Sequence, residues 1–360
     1  MKILYLVDFF YPNKWWIEVL LSQIIGYFSE KNDVFVVTRR YDKTLPKQEK
    51  FWNAIIYRVD AKNIYDFYFK WYNFAKKFFK DVDLIHSNTF FSALIWNKLA
   101  RKYNKRHIIH IHWFFWNLRN KIIKWNFRIF KFKFLEKIIS NMDAEFICVS
   151  KYVYDIMKFV YWVNDKKLHL IYNWIDSKKW LSYVEDEKIK EIRNNIAFKN
   201  EFIYLFYWRN EKVKNVDMLI EAFKNAKIDN SKLILLMTDF WKNNYFKQIS
   251  NNIFIYPWIE HYELPNRILA SDVVVFPSIT ESFGYVWLET SLLEVPLIAS
   301  DMWAIPEVVF WKLSFFNPFD MQDFIHALKD AKNWKFEYIN KKTFEIKDTC
   351  EKLNNLYLKK

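Results

Sequence analysis

Two glutamates eight residues apart, Glu281 and Glu289, flank the short run Ser282-Phe283-Gly284, which follows an apolar, strand-like segment Val273–Phe276. The pattern predicts a strand, a turn closed by Gly284, and a helix that carries Glu289. The first turn of a helix presents unpaired backbone N–H groups and the positive end of the helix dipole, a setting that suits a phosphate. Carboxylates beside such a site accept hydrogen bonds from neutral donors such as sugar or ribose hydroxyls. By itself the spacing also fits two solvated glutamates on a helix. Arg209 and Lys214 form a second candidate cluster: they follow the strand-like run 202–206 and would supply positive charge, although cations after a strand are often only surface residues. His112, which closes the run His110-Ile111-His112, is either a cleft residue or a hydrogen-bonded core histidine; His86 and His110 read as structural. Cys148 and Cys350 stand far apart and have neither metal-ligand nor redox spacing, so no metal site and no disulfide framework is expected, and a reducing, cytoplasmic setting is.

Short β-branched and aromatic runs alternate with helical stretches along the chain, which predicts βαβ units and parallel sheets. Strands are expected near 2–7, 34–38, 54–59, 83–86, 107–111 and 145–149, and again near 202–206, 232–238, 253–256, 272–276 and 296–299. The repeated rhythm reads as two successive doubly wound α/β domains, 1–172 and 173–340. A last helix over 341–360 has apolar positions Phe344, Ile346, Leu353, Leu356 and Tyr357 and is expected to pack back on the first domain. In such folds ligands bind outside the carboxyl ends of the strands, but the fold alone names no reaction.

With 360 residues, 52% of them hydrophobic, the chain is long enough for two ordinary cores. Asp8 interrupts the apolar start after a few residues, and charged or amide side chains break every other run below the roughly 18 to 20 residues a membrane span requires. The net charge of +14 favours an anionic partner, yet no nucleic-acid-binding signature is present. Segment 119–137 alternates basic with aromatic and aliphatic residues; it reads either as a connecting helix or as a helix resting on an anionic membrane surface.

The run FPSITESFGYVWLETSLLEVPLIASDMWAIPEVV, residues 276–309, closely resembles the E-x7-E motif of retaining glycosyltransferases of the group 1 type, family 4, which have the GT-B fold of two facing Rossmann-like domains. The resemblance implies that Glu281 faces a donor sugar, that Glu289 holds a ribose, and that amides around Phe283 and Gly284 approach a diphosphate. YLFYWRNEKVKNVDMLIEAF, residues 204–223, resembles the family's strand, glycine, Arg and Lys, making Arg209 and Lys214 the diphosphate pair and placing Trp208 at a glycine position. YPNKWWIEVLLSQI, residues 11–24, resembles the glycine-glycine loop, with Trp15 and Trp16 as the glycines; the His-Gly segment implies His112 near the reacting sugar; Asn173–Asp176 resembles the NGID turn. The implied activity is metal-free transfer of a sugar from a nucleotide sugar to a carbohydrate or lipid-linked acceptor, with retention, in surface polysaccharide or glycolipid synthesis. A phosphorylase on the same fold and a catalytically inactive scaffold are the rival readings.

Trp287 and Trp303 also stand at family glycine positions. The chain has 2 glycines and 18 tryptophans, whereas about 7% glycine, or about 25 residues, is usual. Turns, caps and phosphate loops need glycine. An AT-rich bias towards Lys, Asn, Ile, Phe and Tyr accompanies the deficit, and the gene is therefore read as one in which UGA means glycine, here rendered as tryptophan. A chain truly rich in packing indoles is the alternative. Intact-mass measurement of the protein from its native host should give a mass below that of the written sequence; agreement with the written mass would end this reading.

Overall fold

The computed structural model describes residues 1–12, 16–62, 64–88, 90–112, 127–197, 200–238 and 247–359. Trp15, the side chain of Trp16 and, of segment 119–137, residues 119–126 with the side chains up to 132 lie outside what is described. The chain divides into two compact units. The first takes in Met1–Asn117, Ile123–Trp174 and Ile346–Lys360; the second runs through Ile175–Glu345.

Each unit is built on one twisted sheet with helices between its strands. In the first the strand order is Gln48–Phe51, Ala54–Val59, Asp33–Arg39, Lys2–Leu6, Leu84–Ser87, Arg106–Ile111, Glu145–Cys148, Leu168–Leu170; all neighbours are parallel except the edge pair Gln48–Phe51 and Ala54–Val59. In the second the order is Lys247–Ser250, Ile253–Pro257, Ser231–Thr238, Phe202–Arg209, Val273–Phe276, Leu297–Ser300, Trp311–Phe316, Glu337–Ile339, with an antiparallel strand at each edge. Central strands such as Val273–Phe276 are buried along their whole length, as apolar runs covered on both faces must be. The covering helices are amphipathic. Val216–Ala226 buries Val216, Leu219, Ala222, Phe223 and Ala226 at helical spacing, and Met321–Lys332 starts at Asp320, whose carboxylate accepts from the N–H groups of Gln322 and Asp323.

The order of strands reverses direction between Lys2–Leu6 and Leu84–Ser87 in the first unit, and between Phe202–Arg209 and Val273–Phe276 in the second. The carboxyl ends of these pairs are where an open α/β sheet leaves a crevice. The sequence predicts the strand at 202–206 to end before Trp208. It continues to Arg209, with Trp208 paired to Met237, so Trp208 and Arg209 are strand residues and not turn residues.

Helix Ile346–Leu358 belongs to the first unit. The Tyr357 hydroxyl lies 3.1 Å from the Tyr5 hydroxyl and 2.5 Å from His86 Nδ1, and Arg106 donates to the carbonyls of Tyr357 and Lys359 at 3.1 and 2.8 Å. The surrounding strands bury four histidines, His86, His107, His110 and His112. Burial pushes His86, His107 and His112 down to about 3, and His110 also well below its ordinary 6.5, helped by its histidine neighbours. All four are therefore neutral in the folded chain.

Five tryptophans among the described residues hold a left-handed backbone: Trp52 (φ 53°), Trp162 (59°), Trp303 (61°), Trp311 (82°) and Trp334 (56°). An indole at such a backbone is strained, whereas glycine is not. Trp162 is also 81% exposed and Trp52 68%, so packing does not hold them there.

The neutral histidines set a pH dependence. Unfolded histidine titrates near 6.5, so below that value the unfolded chain takes up protons the folded chain refuses. Stability should be full above about pH 6.5 and fall as pH drops towards 3, by up to about 1.4 kcal/mol per pH unit for each histidine. Denaturant unfolding between pH 7.5 and 5 should show this slope. His110 has no hydrogen-bond partner on either ring nitrogen among the described residues, so His110→Leu should make the slope shallower without loss of stability; an unchanged slope would contradict the assignment.

Candidate functional site

The switch point of the second unit gathers the acidic and basic clusters. Strand Val273–Phe276 ends in a loop that is tied down on both sides: Ser300 Oγ donates to the Ser278 carbonyl at 2.5 Å, and the Ile279 N–H donates to the Val213 carbonyl at 2.8 Å. The second bond fixes the turn Lys212–Lys214 against the loop. Lys214 is 8% exposed and its ammonium forms an ion pair with the Glu281 carboxylate. Such a pair is held because removing either partner strands a charge in a dry place. Arg209, at the end of its strand, lies 3.4 Å from Glu211. The guanidinium of Arg209 and the ammonium of Lys214 stand 5.7 and 5.6 Å from the centre of the Trp208 ring, within cation–π range.

Gly284, φ 89°, turns the chain into helix Tyr285–Leu292, whose first turn has no side-chain cap. A Cβ on Gly284 would lie 2.1 Å from Trp287 Cε3 and 2.3 Å from Cζ3, so the Trp287 ring fills the space that glycine leaves open. Trp287 is fully buried against Phe276, ring centres 5.4 Å apart, and its indole N–H has no hydrogen-bond partner among the described residues. Orphaned buried donors are costly. Phe283 is itself buried beside Tyr285 and Phe344, which leaves its backbone, not its side chain, for a ligand.

Glu289 is 5% exposed. Its Oε1 accepts from His261 Nε2 at 2.7 Å, while Oε2 is buried with no hydrogen bond among the described residues. Below it the Tyr207 hydroxyl donates to the Val286 carbonyl at 2.8 Å; burial and the Glu289 charge push that phenol well above its ordinary range.

The fold thus brings together Arg209, Lys214, Glu281, Phe283, Gly284, Glu289, Trp208 and Trp287 at one switch point. His112 belongs to the first unit, at the carboxyl end of strand Arg106–Ile111; its Nε2 lies 3.2 Å from Asn88 Oδ1 and its ring is stacked on His110 at 4.1 Å. Trp16 opens helix Trp16–Ser29, and Trp174 is a buried indole that donates to Gln23 at 2.7 Å. Two features escape sequence reasoning. His261 sits in a polar stretch with no motif of its own, and only folding sets it on Glu289. Glu18, in the first turn of helix Trp16–Ser29, is raised to about 7 by burial, with Asp8 adding to the effect, a proton-holding group at the switch point of the first unit.

Comparison with known proteins gives this geometry its setting. Residues 17–179 match the family model Glycosyltransferase Family 4, and residues 187–335 match Glycosyl transferases group 1, so that the two together span most of the chain. The chain belongs to the group 1 glycosyltransferase family. It is 29% identical over 235 residues to an uncharacterized 41.2 kDa protein in the cps region of Klebsiella pneumoniae, covering 63% of this chain and 62% of that protein's length. Over 244 residues it is 25% identical to the UDP-Gal:alpha-D-GlcNAc-diphosphoundecaprenol alpha-1,3-galactosyltransferase of Escherichia coli, covering 64% of this chain and 60% of that one. Among solved structures, Anabaena HepE in complex with UDP and glucose superimposes with a TM-score of 0.74 at 16% identity, covering 99% of both chains. The fold of this group 1 glycosyltransferase is accordingly GT-B.

Proposed function

We propose that the protein transfers a sugar from a nucleotide sugar to an acceptor hydroxyl, with retention of anomeric configuration. The observation that carries this reading is the convergence of Lys214, Arg209 and the uncapped helix start at Gly284 on one switch point, with two carboxylates beside them. Departure of a nucleoside diphosphate builds negative charge, and fixed cations and amides that meet it there lower the barrier. In this reading Lys214 and Arg209 hold the diphosphate, amides near Phe283 and Gly284 complete the anion site, Glu281 meets the sugar, and Glu289 meets the ribose. The ion pair to Glu281 keeps Lys214 in place until a phosphate shares it. The protein's own cations supply the positive charge, without a metal. The first unit, with His112 and Glu18, receives the acceptor.

The galactosyltransferase of Escherichia coli bears in its name a lipid-diphosphate acceptor, and the Klebsiella relative lies in a cps region. They support surface-glycan or glycolipid assembly. Among the described residues no helix is long and apolar enough to cross a membrane. Phe134 and Ile138 are exposed on helix Phe127–Ser140 beside Lys137, and support peripheral contact with an anionic bilayer through this region.

The tryptophans belong to the same proposal. An indole at 287 fills the space over Gly284, and one at 208 lies against both cations. We therefore read these positions, with 15, 16, 174 and 303, as glycine in the native protein. The chain as written fits the second reading, a GT-B protein with an obstructed site. Assays of the glycine form against a panel of nucleotide sugars should detect release of nucleoside diphosphate. Lys214→Ala and Glu281→Ala in that form should lower turnover by about 10² to 10³, with a melting temperature lowered by the stranded charge but a cooperative transition that still shows a folded state. Near-normal turnover in either variant would contradict these roles.

A further inference from the structure

We infer that His261 is a positioning residue of the nucleotide pocket: it holds one oxygen of the Glu289 carboxylate so that the other is presented to the vicinal hydroxyls of a nucleoside. This rests on the reading of Glu289 as the ribose-holding residue. Three elements of the second unit build the arrangement. Glu289 comes from helix Tyr285–Leu292, His261 from the single turn His261–Glu263, and Trp180 from helix Ser177–Leu181.

His261 Nε2 reaches Glu289 Oε1 at 2.7 Å. The imidazole packs at 4.9 Å against the Trp180 ring, and the Trp180 indole N–H donates to the Glu289 carbonyl at 3.0 Å. The indole thus grips the same residue whose carboxylate the imidazole holds. Trp180 is helical and buried, as Trp287 is, but its indole N–H is satisfied where that of Trp287 is not. The turn that carries His261 is itself fixed by a capping box, Glu260 with Glu263.

A carboxylate this buried needs a donor to stay charged. His261 supplies it on Oε1, which leaves Oε2, buried and without a hydrogen bond among the described residues, as the oxygen short of a donor. The groups facing His261 are Glu289 from its helix, Lys179 and Trp180 from theirs, and Glu260 and Glu263 on its own turn. Burial alone would lower the imidazole, and Lys179 works in the same direction; the Glu289 charge and hydrogen bond outweigh both and raise it above 6.5. The Glu289 carboxylate thus favours the protonated imidazole, and in that form the bond to Glu289 is charge-assisted.

The test uses the full chain with glycine at 15, 16, 174, 208, 287 and 303, and UDP, ADP and GDP as probes in calorimetric titrations. His261→Ala should raise the Kd of the nucleoside diphosphate that binds best, and the KM of its sugar, about tenfold with kcat little changed. His261→Gln, which keeps an N–H donor, should recover most of the loss. NMR titration of the imidazole should give a pKa above 6.5 that falls in Glu289→Gln. Unchanged Kd in His261→Ala beside a weakened Glu289→Gln would overturn the role of His261 alone. Unchanged Kd in Glu289→Gln would overturn the ribose reading beneath it.

Discussion

One buried ion pair organises the second unit. Lys214 and Glu281 come from loops after neighbouring strands at the switch point of the sheet, and neither charge is tolerable there without the other or a ligand. The backbone bond from Ile279 to Val213 sets the register of the two loops, and the helix start at Gly284 follows directly from the loop that bears Glu281. An incoming diphosphate meets a cation already held in place and amides already aimed, so that little reorganisation is needed when charge develops. Glu289, about one turn into the same helix, inherits its position from that start.

The same geometry explains why the tryptophans are more than a compositional oddity. A helix N-terminus binds an anion only if the backbone can be approached closely, and Gly284 is one of the 2 glycines in the chain. The neighbouring Trp287 fills the space that this glycine leaves. Five other tryptophans occupy left-handed backbone, a conformation that asparagine also takes in this chain at Asn104, Asn200, Asn215 and Asn230. Asparagine is suited to it by its short polar side chain; an indole has no such excuse. Trp180 shows what a well-used tryptophan looks like in the same fold: helical, buried and hydrogen-bonded.

Much of this was legible in the residues. The apolar runs at Val273–Phe276 and Leu297–Ser300 announce buried parallel strands because nothing polar interrupts them. The acidic motif was legible because its turn keeps a glycine. What the sequence hid depends on tertiary partners. Edge strands such as Gln48–Phe51 and Lys247–Ser250 are polar and short, and only their neighbours make them strands. The extension of Phe202–Arg209 past Trp208 comes from pairing with Ser231–Thr238 and not from local preference. His261 carries no motif, since its meaning lies in a contact with a residue 28 positions away.

The central claim is that a pyrophosphate is held by Lys214, Arg209 and the helix start at Gly284. The most direct measurement is a crystal structure of the glycine form grown with a nucleoside diphosphate. The account predicts phosphate oxygens on Lys214 Nζ and on the amides near Gly284, with ribose hydroxyls on Glu289. A nucleotide bound elsewhere, with the Lys214 and Glu281 pair left intact and no phosphate beside it, would contradict it.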